Sequence, residues 1–215
     1  MTDHAPTAAA TAIARPGAAD PWIDHVWPAS EVTPVMRAVR AALLALVGAQ
    51  LLWLSAKTQV PFWPVPLTMQ PLAVMLLGLA FGWRLAVATV ILYLAQGAFG
   101  MPVFAGTPAR GIGLAYMMGP TGGYLLGFAL AAAAIGAIVG RARGATSMAF
   151  HISVVLALVA GILAIYVPGY LWLANFVGFA KAWTLGVWPF IVGDVIKAAI
   201  AAALAFAVHL RLRRT

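Results

Sequence analysis

The chain has 215 residues, of which 64% are hydrophobic and 8% charged, with a net charge of +8 and no cysteine. A water-soluble domain carries about a quarter charged residues, so this composition excludes one and marks an integral membrane protein. The missing cysteine excludes disulfides and thiolate metal sites, and His4, His25, His151 and His209 are too scattered for a metal-ligand spacing. The cations fall in short loops and at the ends, which points to membrane topology and not to nucleic-acid binding.

Residues 1–32 are rich in Ala, Pro and Thr and carry Asp3, Asp20 and Asp24. They lack the apolar run of a signal peptide, and their acids argue against a transit peptide. They read as a mobile cytoplasmic tail, with Trp22 and Trp27 suited to the membrane interface. Residues 33–215 read as one all-α domain of six transmembrane helices.

The first span runs from about Val35 to Ala56, followed by the proline-rich loop Lys57-Thr-Gln-Val-Pro61-Phe-Trp-Pro64-Val-Pro66. The second, about Thr68 to Phe81, is short beside the roughly 20 residues of a simple crossing. Gly82-Trp83-Arg84 makes a tight turn into the third span, about Leu85 to Gly97. A long glycine- and proline-rich loop then leads to the fourth span, about Gly122 to Val139. The fifth, about Ala149 to Val167, should end at Pro168-Gly169, with an interfacial helix over Tyr170–Phe179. The sixth covers about Val187 to Leu210.

Six spans put both ends of the chain on one side of the membrane. Arg37, Arg40, Arg84, Arg141, Arg143, Arg211, Arg213 and Arg214 fall on that side, and Lys57, Arg110 and Lys181 on the other. Cytoplasmic loops attract Lys and Arg, so both termini are expected in the cytoplasm.

After Glu31 the chain has a single acid, Asp194, seven residues into the last span, with Lys197 three positions on. Residues three apart share a helix face. Seven residues of helix place Asp194 roughly 10 Å inward from the outer surface. Ionisable groups at that depth are costly and mark functional sites by default, the structural alternative being a pair that only neutralises itself. The two irregular loops lie at the same outer level, and irregular backbone there must be covered by protein or line a cavity. A polar-walled pocket opening outward is therefore expected.

Thr68 and Gln70 follow Pro61-Phe-Trp-Pro64-Val-Pro66 and supply a hydroxyl and an amide at the start of the second span. Thr68 also suits a helix cap. Ala41, Ala45 and Ala49, with Ala38 and Ala42 one face over, form a small-residue pattern that admits a partner helix.

Four ordered blocks carry a family resemblance: Pro64-Val-Pro-Leu-Thr-Met-Gln70; Leu92-Tyr-Leu-Ala-Gln-Gly97 with Gly100-Met-Pro-Val-Phe104; Gly119-Pro-Thr-Gly-Gly-Tyr124; and Pro189-Phe-Ile-Val-Gly-Asp194-Val-Ile-Lys197. Over about Pro64 to Lys197 the chain resembles the biotin-specific substrate-binding (S) components of energy-coupling factor (ECF) vitamin transporters, the BioY family. The resemblance implies a six-helix S-component fold in a prokaryotic cytoplasmic membrane, with biotin held near the outer surface. It implies a transmembrane coupling subunit and two cytoplasmic ATPases as partners, with the alanine pattern of the first helix meeting the coupling subunit. The family's acid and lysine fall on Asp194 and Lys197. One departure is the stretch Ala105-Gly-Thr-Pro-Ala-Arg110-Gly-Ile-Gly113, where the family shows a more glycine-rich run.

Biotin's chemistry suits these residues. Asp194 accepts from the urea N–H groups and Lys197 donates to the urea carbonyl. Trp63, Tyr93, Phe104, Tyr124 and Trp172 are candidate walls. Arg110 is a candidate for the carboxylate, with Lys197 as the alternative. No cofactor is implied, and no P-loop is present, so ATP hydrolysis belongs to partners. Two alternatives stand beside this reading: an S component for another vitamin, and a proton-coupled secondary carrier that uses Asp194 as its relay.

Overall fold

The computed structural model describes residues 20–28 and 33–213; the rest of the expected tail, and Arg214, lie outside the described residues. A five-residue helix, α1 (Trp22–Val26), precedes α2 (Pro34–Lys57). The Thr33 hydroxyl accepts from the Met36 amide and Pro34 sits in the first turn, two ordinary helix-start devices. A two-stranded antiparallel ribbon follows, β1 (Gln59–Val60) and β2 (Leu67–Thr68), with Gln59 opposite Thr68 and Val60 opposite Leu67.

Next comes α3 (Gln70–Ala98), which is interrupted at Gly82 (φ 73°, ψ 166°). That backbone conformation is open to glycine and strained for other residues. In an unbroken helix Gln70 and Tyr93 would stand about 34 Å apart, yet the Gln70 amide donates to the Tyr93 hydroxyl at 2.9 Å. Gly48 on α2 likewise touches Leu77, Phe81 and Thr89 together. The chain therefore doubles back at Gly82, and residues 70–81 and 83–98 are two antiparallel helices. Among the described residues, five helical stretches, the hairpin 70–98 taken as one, are long and apolar enough to cross a membrane. Counting its two arms separately gives six helical segments, each arm being shorter than the roughly 20 residues of a simple crossing.

Then follow α4 (Gly113–Met117), α5 (Gly122–Ala142), α6 (Ser147–Val177), α7 (Phe179–Gly186) and α8 (Trp188–Leu212). One expectation is corrected here: α6 does not end at Pro168 but runs through it to Val177, and the short helix that follows is α7. Pro168 lacks the N–H that would reach the Ala164 carbonyl. At that turn Gly123 and Gly127 of α5 close on α6, where a methyl group at Gly127 would meet the Ala164 oxygen at 2.8 Å. Small residues spaced by four let the backbones approach, and this packing holds the helix across the proline.

Two buried clusters fill the bundle. One centres on Met75, Leu79, Ile135, Val139 and Phe150. The other, towards the loops, includes Leu52, Tyr93, Phe104, Tyr124 and Phe128. Large hydrophobic side chains such as Val47, Leu156, Val192 and Ile196 stay exposed on the outer faces, as expected where hydrocarbon and not water is the solvent.

Residues 20–28, expected as part of a mobile tail, pack on the bundle. Asp24 pairs with Arg40, the Trp22 ring lies 6.3 Å from that of Phe150, and the Arg143 guanidinium lies 5.9 Å from the Trp22 ring centre. Arg143 is fully buried and donates to the Leu79 carbonyl at 2.6 Å. That carbonyl belongs to the last turn of residues 70–81, where helix carbonyls have no partner of their own. Burial pulls the Arg143 guanidinium down to about 10, while Asp24 and Asp20 act the other way.

Candidate functional site

A cavity of about 50 Å³ lies between the start of residues 70–81 and helices α5, α6 and α8. Its apolar wall includes Val65, Tyr116, Tyr124, Phe128, Ile165 and Phe190; its polar groups are Thr68, Gln70, Thr121, Tyr166, Asp194 and Lys197. This mixture of aromatic walls and a few convergent polar groups is typical of small-molecule sites.

The Asp194 carboxylate is the centre of the polar side. Its Oδ1 accepts from Lys197 Nζ at 2.7 Å, and its Oδ2 accepts from the Tyr166 hydroxyl at 2.8 Å. Lys197 also donates to the Thr68 carbonyl at 2.8 Å. An ammonium has three donors, so Lys197 keeps one free; each carboxylate oxygen likewise keeps accepting capacity. Asp194 is 3% exposed. The pair is thus buried on the wall of this cavity.

Of the residues singled out from sequence, Asp194, Lys197, Thr68, Gln70 and Tyr124 line this cavity together. Thr68 Oγ1 accepts from the Gln70 backbone N–H at 3.2 Å, at the start of the helix. The Tyr124 hydroxyl donates to the Gly186 carbonyl at 2.7 Å, fixing the α7–α8 junction just before Asp194's helix.

Tyr93, Phe104 and Arg110 are not on the cavity surface. Tyr93 is fully buried behind Gln70, accepting from its amide and donating to the Val103 carbonyl at 3.2 Å. Phe104 is also fully buried, edge-on to Tyr93 and stacked on Tyr116 at 4.9 Å. Arg110 donates to the carbonyls of Pro64 at 3.0 Å and Phe62 at 2.8 Å. These three support the walls: Arg110 holds the segment that carries Val65 and Pro66. Trp63 is exposed, and Trp172 donates to the Gly119 carbonyl at 2.9 Å, outside the lining.

Sequence reasoning missed several contributors. Tyr166, Tyr116 and Phe190 line the cavity. Lys57 donates to the Phe104 carbonyl and to both Thr107 oxygens at 3.0–3.1 Å, and so joins α2 to the loop after residues 83–98. The available signal for Tyr166 was a phenol inside the most apolar span, since a buried tyrosine hydroxyl needs a partner. Tyr116 donates to the Ala105 carbonyl at 2.8 Å, and burial raises its phenol, so it serves as a neutral donor.

The alanine pattern divides. Ala45 and Ala49 are buried in the chain's own core, so they are not available to a partner as expected. Ala38 and Ala42 are exposed, and Ala41 is half-buried.

Residues 28–214 match the family model described as the BioY family. The chain is 42% identical over 170 residues to a probable biotin transporter BioY of Pyrococcus horikoshii, covering 79% of this chain and 96% of that one. It is 37% identical over 179 residues to a biotin transporter BioY of Rhizobium etli, covering 81% and 91%. The fold is similar to a crystal structure of the S-component for biotin from an ECF-type ABC transporter, with a TM-score of 0.68 over 86% of this chain and 95% of that chain at 21% identity.

Proposed function

The chain belongs to the BioY family, and we propose that it captures biotin at the outer side of a cytoplasmic membrane as the S component of an ECF-type transporter. The observation that carries this reading is the Asp194–Lys197 pair facing an aromatic-walled cavity with bonding capacity to spare. Biotin's urea presents N–H donors beside a carbonyl acceptor. The N–H groups meet Asp194, and the carbonyl takes the free Lys197 donor. Each such bond to a charged group contributes about 1.5–3 kcal/mol. Tyr124, Phe128 and Phe190 cover the apolar bicyclic ring. Thr68 and Gln70 border the same space, while Tyr93, Phe104 and Arg110 act by holding its walls.

In the proposed assembly a transmembrane coupling subunit meets the exposed Ala38 and Ala42 face of α2, and two ATPase subunits supply the energy. Both termini are cytoplasmic, with residues 33–215 as the substrate-binding domain and residues 1–32 as an extension of which 20–28 dock on it. The excess of Arg on the side of Arg37, Arg84, Arg141 and Arg211 supports that orientation.

Mass spectrometry of small molecules released after mild detergent purification tests the ligand directly. Biotin should be recovered, and a competition panel should rank it above thiamine and riboflavin. Recovery of a different vitamin, or no biotin binding by purified protein, overturns the reading. Uptake that proceeds without ATP and collapses with uncouplers would point to a secondary carrier instead.

A further inference from the structure

We propose that Tyr166 is a specificity-determining positioning residue: its hydroxyl fixes the Asp194 carboxylate so that the remaining lone pairs select a ligand that donates N–H groups. This rests on the biotin reading above.

The argument starts from which elements hold the carboxylate. Lys197 grips Oδ1 from the same helix, three residues on. That contact travels with α8 and leaves the carboxylate free to turn about its last side-chain bond. Tyr166 grips Oδ2 from α6, across the cavity wall. Two donors from two helices define the plane of the carboxylate, as one donor does not. The tyrosine ring is only half-buried, and Ile165 beside it is 3% exposed and supplies apolar packing. Packing alone would be served by phenylalanine; what the tyrosine adds is the bond to Asp194.

Selectivity follows from charge-assisted bonding. A carboxylate that already accepts from an ammonium and a phenol stays an acceptor. Its free lone pairs welcome N–H and leave a ligand carbonyl or alkylated nitrogen unpaired, which is costly in a buried site. A cyclic urea with both nitrogens unsubstituted fits; the same urea with one nitrogen methylated does not.

The experiment uses the full chain in detergent or nanodiscs, titrated with biotin and with biotin methylated on a urea nitrogen. Wild-type binding of biotin comes first, because its absence would defeat the function reading and not this one. Tyr166→Phe should then weaken biotin by about tenfold, the loss of one bond to a charged group. The same substitution should leave the already weak methylated ligand unchanged, and should add no loss in an Asp194→Asn background. Equal losses for the two ligands, or an undiminished loss in that background, would show a merely structural tyrosine and overturn the proposal. Should Tyr166→Phe not fold, 3-fluorotyrosine at position 166 gives a second measurement. Its fluorine resonance should shift with biotin and much less with the methylated ligand, and an unmoved resonance with bound biotin overturns the proposal equally.

Discussion

Two buried acid–base pairs lie at opposite ends of this bundle, and they do different work. Asp24–Arg40 and Asp194–Lys197 are both short and mostly hidden from solvent. The first joins α1 to α2, with the Arg40 guanidinium 6.0 Å from the Trp27 ring centre. It fastens one element to another. The second borders a cavity, is cross-bonded by Tyr166 and Thr68, and retains an unused donor and unused lone pairs. Burial of charge is common to both, so burial alone does not mark a site. What separates them is the cavity beside the second pair and the cross-bonds it receives from Tyr166 and gives to Thr68.

The largest effect that can break this contrast is expected at Asp194. Asp194→Asn keeps the shape but removes the charge that Lys197, Tyr166 and the ligand share. Biotin affinity should fall about 100-fold, on the order of 3 kcal/mol, while the protein still inserts and purifies. A dissociation constant within a few-fold of wild type would remove Asp194 from the site. Asp24→Asn should do the reverse: biotin affinity within about twofold, but a stability loss on the order of 1–3 kcal/mol because Arg40 is left without its partner. Adding Arg40→Leu to Asp24→Asn should recover part of that loss, since the orphaned charge goes with it. Thermal unfolding in detergent reads both variants, and a binding defect in Asp24→Asn would dissolve the division between the pairs. A smaller effect is expected at Tyr124→Phe, which frees the Gly186 carbonyl at the α7–α8 junction. One neutral hydrogen bond is worth about 1 kcal/mol, so a several-fold weaker affinity with unchanged ligand ranking is expected in equilibrium binding.

Sequence made the membrane frame legible because its signals are local. Apolar runs, the turn at Gly82-Trp83-Arg84 and the clustering of arginines depend on neighbours in the chain. The Asp194–Lys197 face was equally legible, since a three-residue spacing on a helix leaves little choice. The misses are contacts between distant segments. Tyr166 meets Asp194 across 28 residues, and Lys57 reaches Phe104 across 47. Nothing in the local pattern says which hydroxyl or ammonium will meet which carbonyl. The helix expected to stop at Pro168 continues because Gly123 and Gly127 of another helix support it there. Ala45 and Ala49 share a spacing with Ala41, yet the chain's own packing buries the first two and leaves Ala41 half-buried.

The smallest and most discriminating effect concerns Arg110, the cation once matched to the ligand's carboxylate by chemistry alone. Its two terminal nitrogens are committed to the Phe62 and Pro64 carbonyls, and its stem lies over Gly106 (φ 73°). A planar fork can satisfy two carbonyls at once, whereas a lysine reaches such a pair with one ammonium on a flexible stem. If Arg110 acts by holding the loop, Arg110→Lys keeps the charge yet loosens the wall that carries Val65 and Pro66. Affinity should then fall a few-fold, by roughly 1 kcal/mol, and equally for biotin and for biotin amides that lack the carboxylate. If Arg110 instead bound the carboxylate, Arg110→Met would penalise biotin far more than its amide, and the two ligands would converge. Measuring both ligands against both substitutions therefore decides whether this cation belongs with the fastening pair near the tail or with the binding pair on α8.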